Sequence, residues 1–193
     1  VYEDGGNTYI VTADEGDARP DDSDISRTGS FAADSGNMVS STPVYDPGGG
    51  ALSQAAFNVL LEDNTELGRL NVLVDQSTDG SGDLQDIVAM GSRGITVWQY
   101  DGSGPSLTRV SHLSLESYLA TEDPARHNSN DGGDPGEQDA RSDDKGPEPE
   151  AVDVIQLGGK IVAMVGNERQ NGVVMVDVTN PAAPAAISYI NNR

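Results

Sequence analysis

Apolar residues in this chain come in short runs that alternate with polar positions, and this period of two is the mark of half-buried strands. The pattern predicts strands over Thr8–Ala13, Arg69–Val74, Ile87–Met90, Ile95–Tyr100, Leu107–Leu113, Ala151–Gln156, Lys160–Val165, Val173–Asp177 and Ala186–Tyr189. Asp101-Gly102 and Asn171-Gly172 mark tight connections between them. Helical spacing is confined to Leu52–Leu61 and Leu115–Ala120, which fit short helices in connecting loops. The stretches 17–68 and 121–144 read as long polar loops. Loops of that length on a sheet scaffold carry function or lack order, so 121–144 needs something to hold it.

Two of the strand-rich segments resemble each other. Asp86–Leu113 and Lys160–Ile190 both open on Ile-Val-Ala-Met and pass through a Gly or Arg turn, an alternating strand, a second turn and a final strand. Thr8–Pro20 is a partial third copy. Repeated units of this kind predict an all-β fold of radially repeated antiparallel sheets, a β-propeller-like domain with long loops. We read residues 1–193 as one such domain and as a partial propeller. The start at Val1, without Met or a visible export signal, is expected of a piece cut from a longer protein.

Charge narrows the function. The chain carries 32 acidic against 11 basic residues, a net charge of −21, and 22 of the acids are Asp. A protein so acidic lacks the basic footprint that nucleic acid requires. Short-armed Asp in loops suits cation ligation, while an acidic surface also keeps a protein soluble in brine, and both explanations stand at this point. No run approaches the roughly 18 apolar residues of a membrane span. The absence of cysteine excludes disulfides and thiolate metal sites.

The densest oxygen pattern is Asp75–Asp86, DQSTDGSGDLQD. Asp75, Ser77, Asp79, Ser81, Asp83 and Asp86 fall at loop positions 1, 3, 5, 7, 9 and 12, with Gly80 at position 6. That is the rhythm of a calcium loop, in which position 7 offers its backbone carbonyl. The flanks GRLNVLV and DIVAMG look like strands, so this would be a calcium loop between strands. The competing reading is a solvated Asp/Gly/Ser turn.

Three further stretches place carboxylates, cations and an amide beside strand ends: Asp14, Glu15, Asp17 and Arg19; Arg141, Asp143, Asp144, Lys145, Glu148 and Glu150; Asn167, Glu168 and Arg169. In a propeller such ends converge on the channel mouth. Glu15, Asp17, Asp144 and Glu150 are candidate metal ligands there, with Ca2+ the expected ion. As a catalytic alternative, Glu148, Glu150 and Glu168 would hold metal while Lys145, Arg169 and Arg19 grip a phosphate ester. Plain loop charges and structural ion pairs explain the same residues without a site. His112 and His127 are too few for a zinc site, and Trp98 reads as packing.

The blocks TYIVTADEGDAR, DLQDIVAMGSRGITVW, DARSDDKGPEPEAV, GNERQNGVVMVDVTNPAAP and YINNR, taken together, resemble the choice-of-anchor I domain family. Its relatives include atypical bacterial alkaline phosphatases and mesenchyme-specific cell-surface glycoproteins. Asp14 stands where the family usually has Asn, and Ala151 where it has Gly. The resemblance implies a secreted or cell-surface propeller-like domain that associates with calcium. It also implies divalent cations, phosphate esters or other surface proteins as partners, and phosphatase activity as the alternative function.

Overall fold

The computed structural model describes residues 1–17, 24–35, 53–80, 82, 84, 86–102, 104, 106–130 and 134–191, with only the helical backbone at 32–35 and 54. The elements in chain order are β1 (Tyr2–Asp4), β2 (Asn7–Asp14), β3 (Ile25–Arg27), α1 (Thr28–Ser35), α2 (Gln54–Glu62), β4 (Asn71–Leu73), α3 (Val74–Ser77), β5 (Gly94–Tyr100), β6 (Leu107–Ser114), α4 (Glu116–Glu122), β7 (Pro149–Leu157), β8 (Lys160–Asn167), β9 (Val173–Asp177) and β10 (Ala185–Ile190). They form three antiparallel sheets, so the class is all-β with a few short helices. Among the described residues there is no closed barrel and no closed propeller.

The chain divides into two compact units. One comprises Val1–Gly16 and Gly91–Arg193; the other is Asp17–Met90. The first holds two four-stranded sheets, ordered β1-β2-β5-β6 and β10-β9-β8-β7. Each is a meander in which successive strands of the unit are neighbours. Between β1 and β2 the turn is Gly5-Gly6, and between β7 and β8 it is Gly158-Gly159. All four glycines have positive φ, the backbone that a two-residue turn must adopt to match strand twist.

Alternation along the strands builds one core from both sheets. Tyr9 and Val11 of β2, Ile95 and Val97 of β5, Ala163 and Val165 of β8, and Val174 and Val176 of β9 are all buried in it. Tyr2 stacks on Tyr9 with ring centroids 5.3 Å apart, and its hydroxyl donates to the Val178 carbonyl at 3.0 Å. Burial, with the neighbouring Tyr9 and Asp4 adding to it, pushes the Tyr2 hydroxyl up to about 12. A phenol so placed stays protonated and keeps its donor role.

The second unit is smaller. Strands β3 and β4 pair, and Phe57, Leu61, Val72 and Leu84 make a separate core with Phe31, Leu67, Leu70 and Ile87 against it. Ser53 caps α2 by accepting the Ala56 N–H at 3.2 Å, the usual stabilisation of a helix start.

Two expected strands differ here. Arg69–Val74 is a strand only over Asn71–Leu73, because the chain turns helical at Val74, whose carbonyl accepts both the N–H and the hydroxyl of Thr78. Ile87–Met90 is extended but is no strand. The Val88 carbonyl accepts the Leu73 N–H at 2.8 Å, while the Val88 N–H donates to the Ser77 hydroxyl at 3.2 Å. A side chain has taken the ladder partner's place. The second Ile-Val-Ala-Met copy, by contrast, lies inside β8.

Candidate functional site

The carboxylates singled out in the sequence separate into those that converge and those that do not. β2 ends at Asp14, and Glu15 follows it half-buried. β7 begins at Pro149, and Glu148 immediately before it is fully buried with a φ of 46°. Glu15 and Glu148 offer carboxylate oxygens within 4.8 Å of each other, and Asp17, two residues along the chain from Glu15, adds an oxygen to the same set. Among the described residues this is the one such group of three acidic or metal-ligating side chains.

Glu148 is also the hub of the nearby cations. Its Oε2 accepts from Arg169 Nε, and Lys145 Nζ lies 3.4 Å from its Oε1. Its carbonyl accepts the Glu168 N–H at 2.9 Å. Arg169 also meets Glu168 at 3.5 Å, and the Glu168 carboxylate is more exposed. A fully buried carboxylate is tolerable because two cations compensate it.

Other expected site residues lie elsewhere. Glu150 is exposed at the bulge where Pro149 pairs with Asn167 and Ala151 with Gly166. Asp144 pairs with Arg141 at 3.4 Å, and its carbonyl accepts from Arg93. Arg19 lies outside the described residues, as do Ser81 and Asp83 of the Asp75–Asp86 stretch. Of the rest of that stretch, Asp75 is exposed in the helical turn α3 and Asp79 is exposed beyond it. Asp86 is half-buried, and its N–H donates to the Ser77 carbonyl. Ser77 is buried, with its hydroxyl accepting the Val88 N–H. Among its described residues the stretch opens in a helical turn, and Thr78 and Leu84 then form an isolated antiparallel bridge, with the Gly82 N–H on the Asp79 carbonyl.

The sequence reading missed Arg93, which holds the end of the 121–144 stretch at Ser142 and Asp144. Arg93, with a φ of 50°, donates to Glu116 Oε1 at 3.0 Å, to the Ser142 carbonyl at 2.8 Å and to the Asp144 carbonyl at 3.0 Å. Asn128, buried, donates from Nδ2 to Glu116 and to Ser142 Oγ, both at 2.9 Å. One arginine thereby fastens a polar segment to the start of β5. The available signal was a lone cation between glycines, in GSRG, within a very acidic chain.

Sheet β1-β2-β5-β6 has a second polar cluster on the face away from the core. Asp14 accepts from Ser92 and Thr96 hydroxyls at 2.6 Å each and from Thr12 at 2.8 Å. Trp98 donates to Thr12 at 3.1 Å, and His112 Nδ1 sits 2.9 Å from the Ile95 carbonyl.

Two four-stranded antiparallel meanders closed on one core, with buried charge at one end, define an all-β sheet-repeat protein. The chain belongs to the choice-of-anchor I domain family, whose model matches residues 1–181. No curated protein and no solved structure matches it.

Proposed function

We propose that this chain is a secreted or cell-surface propeller-like domain that binds a calcium ion at the end of β2 beside Glu148. Family membership supports the surface setting. No helix among the described residues is long and apolar enough to cross a membrane. The two meanders have the strand order of neighbouring propeller blades, which supports the propeller reading.

The observation that carries the calcium reading is the convergence of Glu15, Asp17 and Glu148 oxygens within 4.8 Å. Oxygens each roughly 2.3–2.6 Å from one calcium ion fit within that span. The Asp75–Asp86 stretch, with Asp75, Ser77, Asp79, Ser81, Asp83 and Asp86, is the second proposed calcium loop, although its described carboxylates Asp75, Asp79 and Asp86 do not make a converging group of that kind. Phosphate-ester hydrolysis finds less support, because Lys145 and Arg169, the cations assigned to grip phosphate, both pair with Glu148.

The test is thermal unfolding in calcium, in chelator, and in sodium at equal ionic strength. At a hundredfold excess over Kd a ligand specific for the folded state adds about 2.7 kcal/mol, roughly 5–10 °C for a chain of this size. We expect that rise in calcium but not in sodium. Glu15→Gln should abolish most of it if the β2 site is the binder, and Asp79→Asn if the Asp75–Asp86 stretch is. Equal melting temperatures in calcium and sodium would leave the acidity as salt adaptation.

A further inference from the structure

Resting on that reading, we propose that Asn167 is the neutral oxygen ligand of the ion held by Glu15 and Glu148. Asn167 is 7% exposed, and among the described residues neither its Oδ1 nor its Nδ2 has a hydrogen-bond partner. An amide buried in that way calls for a partner other than the described side chains and backbone around it.

Its direction follows from strand alternation. On β8, Ala163 and Val165 face the shared core, and Asn167 is the next residue on that face. On β2, Tyr9, Val11 and Ala13 face the same core, and Glu15 continues the series one step beyond the strand. Asn167 pairs with Pro149, the residue after Glu148, and its own neighbour Glu168 hydrogen-bonds the Glu148 carbonyl. Asn167 and Glu15 thus end the core-facing rows of β8 and β2, and the backbone of Glu148 adjoins Asn167 and Glu168.

The related strand supplies a contrast. Asp14 ends β2 as Asn167 ends β8, in the matching sequences TADE and VGNE. Asp14 faces away from the core and is held by Thr12, Thr96 and Ser92. Asn167 faces inward, where the strands beside it bring valines in place of hydroxyls. Calcium accepts amide oxygens alongside carboxylates and needs six to eight donors in all. With Oδ1 on the ion, Nδ2 would donate to an oxygen of a calcium-bound water.

Calorimetric titration with calcium chloride and with magnesium chloride, together with melting in chelator, tests this on the full chain. Asn167→Ala should weaken calcium binding at least about tenfold while leaving the melting temperature in chelator unchanged or higher. Asn167→Asp should retain calcium binding and lower the melting temperature in chelator, because a buried third carboxylate then lacks its counter-ion. Two results would overturn the assignment: calcium affinity of Asn167→Ala equal to that of the wild type, or an Asn167→Ala melting temperature lowered equally in calcium and chelator, as loss of a purely structural amide would give. A wild-type chain that binds no calcium would refute the parent reading, whereas wild-type binding with an unaffected Asn167→Ala refutes this one alone.

Discussion

A single buried carboxylate organises the charged residues at the end of the core. Glu148 has no exposed surface and is compensated by Arg169 and Lys145, whose side chains are themselves mostly buried. Removing its charge strands two cations in a poorly solvated place. Breaking a buried pair from one side costs about 3–5 kcal/mol, so Glu148→Gln should lower the unfolding free energy by that much. Glu150→Gln, at an exposed position two residues on, should stay within about 0.5 kcal/mol of the wild type. Chemical denaturation of both variants in chelator keeps any metal contribution out of the comparison. Asp177, at the opposite end of β8, shows the surface counterpart. The Lys160 ammonium, 2.5 Å away, and the Thr179 hydroxyl and N–H hold its carboxyl down at about 2, and together they clasp the β8 and β9 ends.

At the scale of elements, the two hairpin pairs explain the internal repeat. β5 and β6 correspond to β9 and β10, and β2 corresponds to β8, so the repetition seen in the sequence is a repetition of sheets. The matching tetrapeptides misled in one respect, since the first lies outside any strand. Its neighbours decide this: Ser77 offers a hydroxyl where a strand would offer a ladder. Where the chain returns to β5, Gly91 has a φ of 57° and lies against the backbone of Gly16. A methyl group there would overlap that backbone and demand a left-handed conformation. Gly91→Ala should therefore cost at least about 2 kcal/mol, measured by denaturant unfolding. Gly80→Ala, which would meet open space, should change stability by less than about 0.5 kcal/mol.

At the scale of the whole molecule, the stretch between β2 and β5 is a second compact unit with its own small core of Phe57, Leu61, Val72 and Leu84. The first unit's core draws every buried side chain from Val1–Gly16 and Gly91–Arg193. Gly16 and Gly91 already approach closely, so a short linker can join them. A chain lacking Asp17–Met90, closed by a few glycines and serines, should keep its β-sheet circular dichroism and unfold cooperatively. A non-cooperative melt would show that the sheets depend on the second unit.

Period-two alternation determined by itself which residues form β2, β5, β6, β7, β8, β9 and β10, because strand geometry forces every second side chain onto one face. Helix spacing located α2 and α4 for a similar reason. It also bunched acids at strand ends and named Glu15, Asp17 and Glu148 among others of equal appearance. Choosing among them was beyond any local rule. Glu148 and Glu150 are two residues apart in one motif, yet one is buried against Arg169 and Lys145 and the other faces water. That difference comes from a bulge and from which sheet packs opposite, both long-range facts. Likewise, the anchoring of Ser142 and Asp144 by Arg93, and the inward turn of Asn167 against the outward turn of Asp14, depend on which faces the two sheets press together.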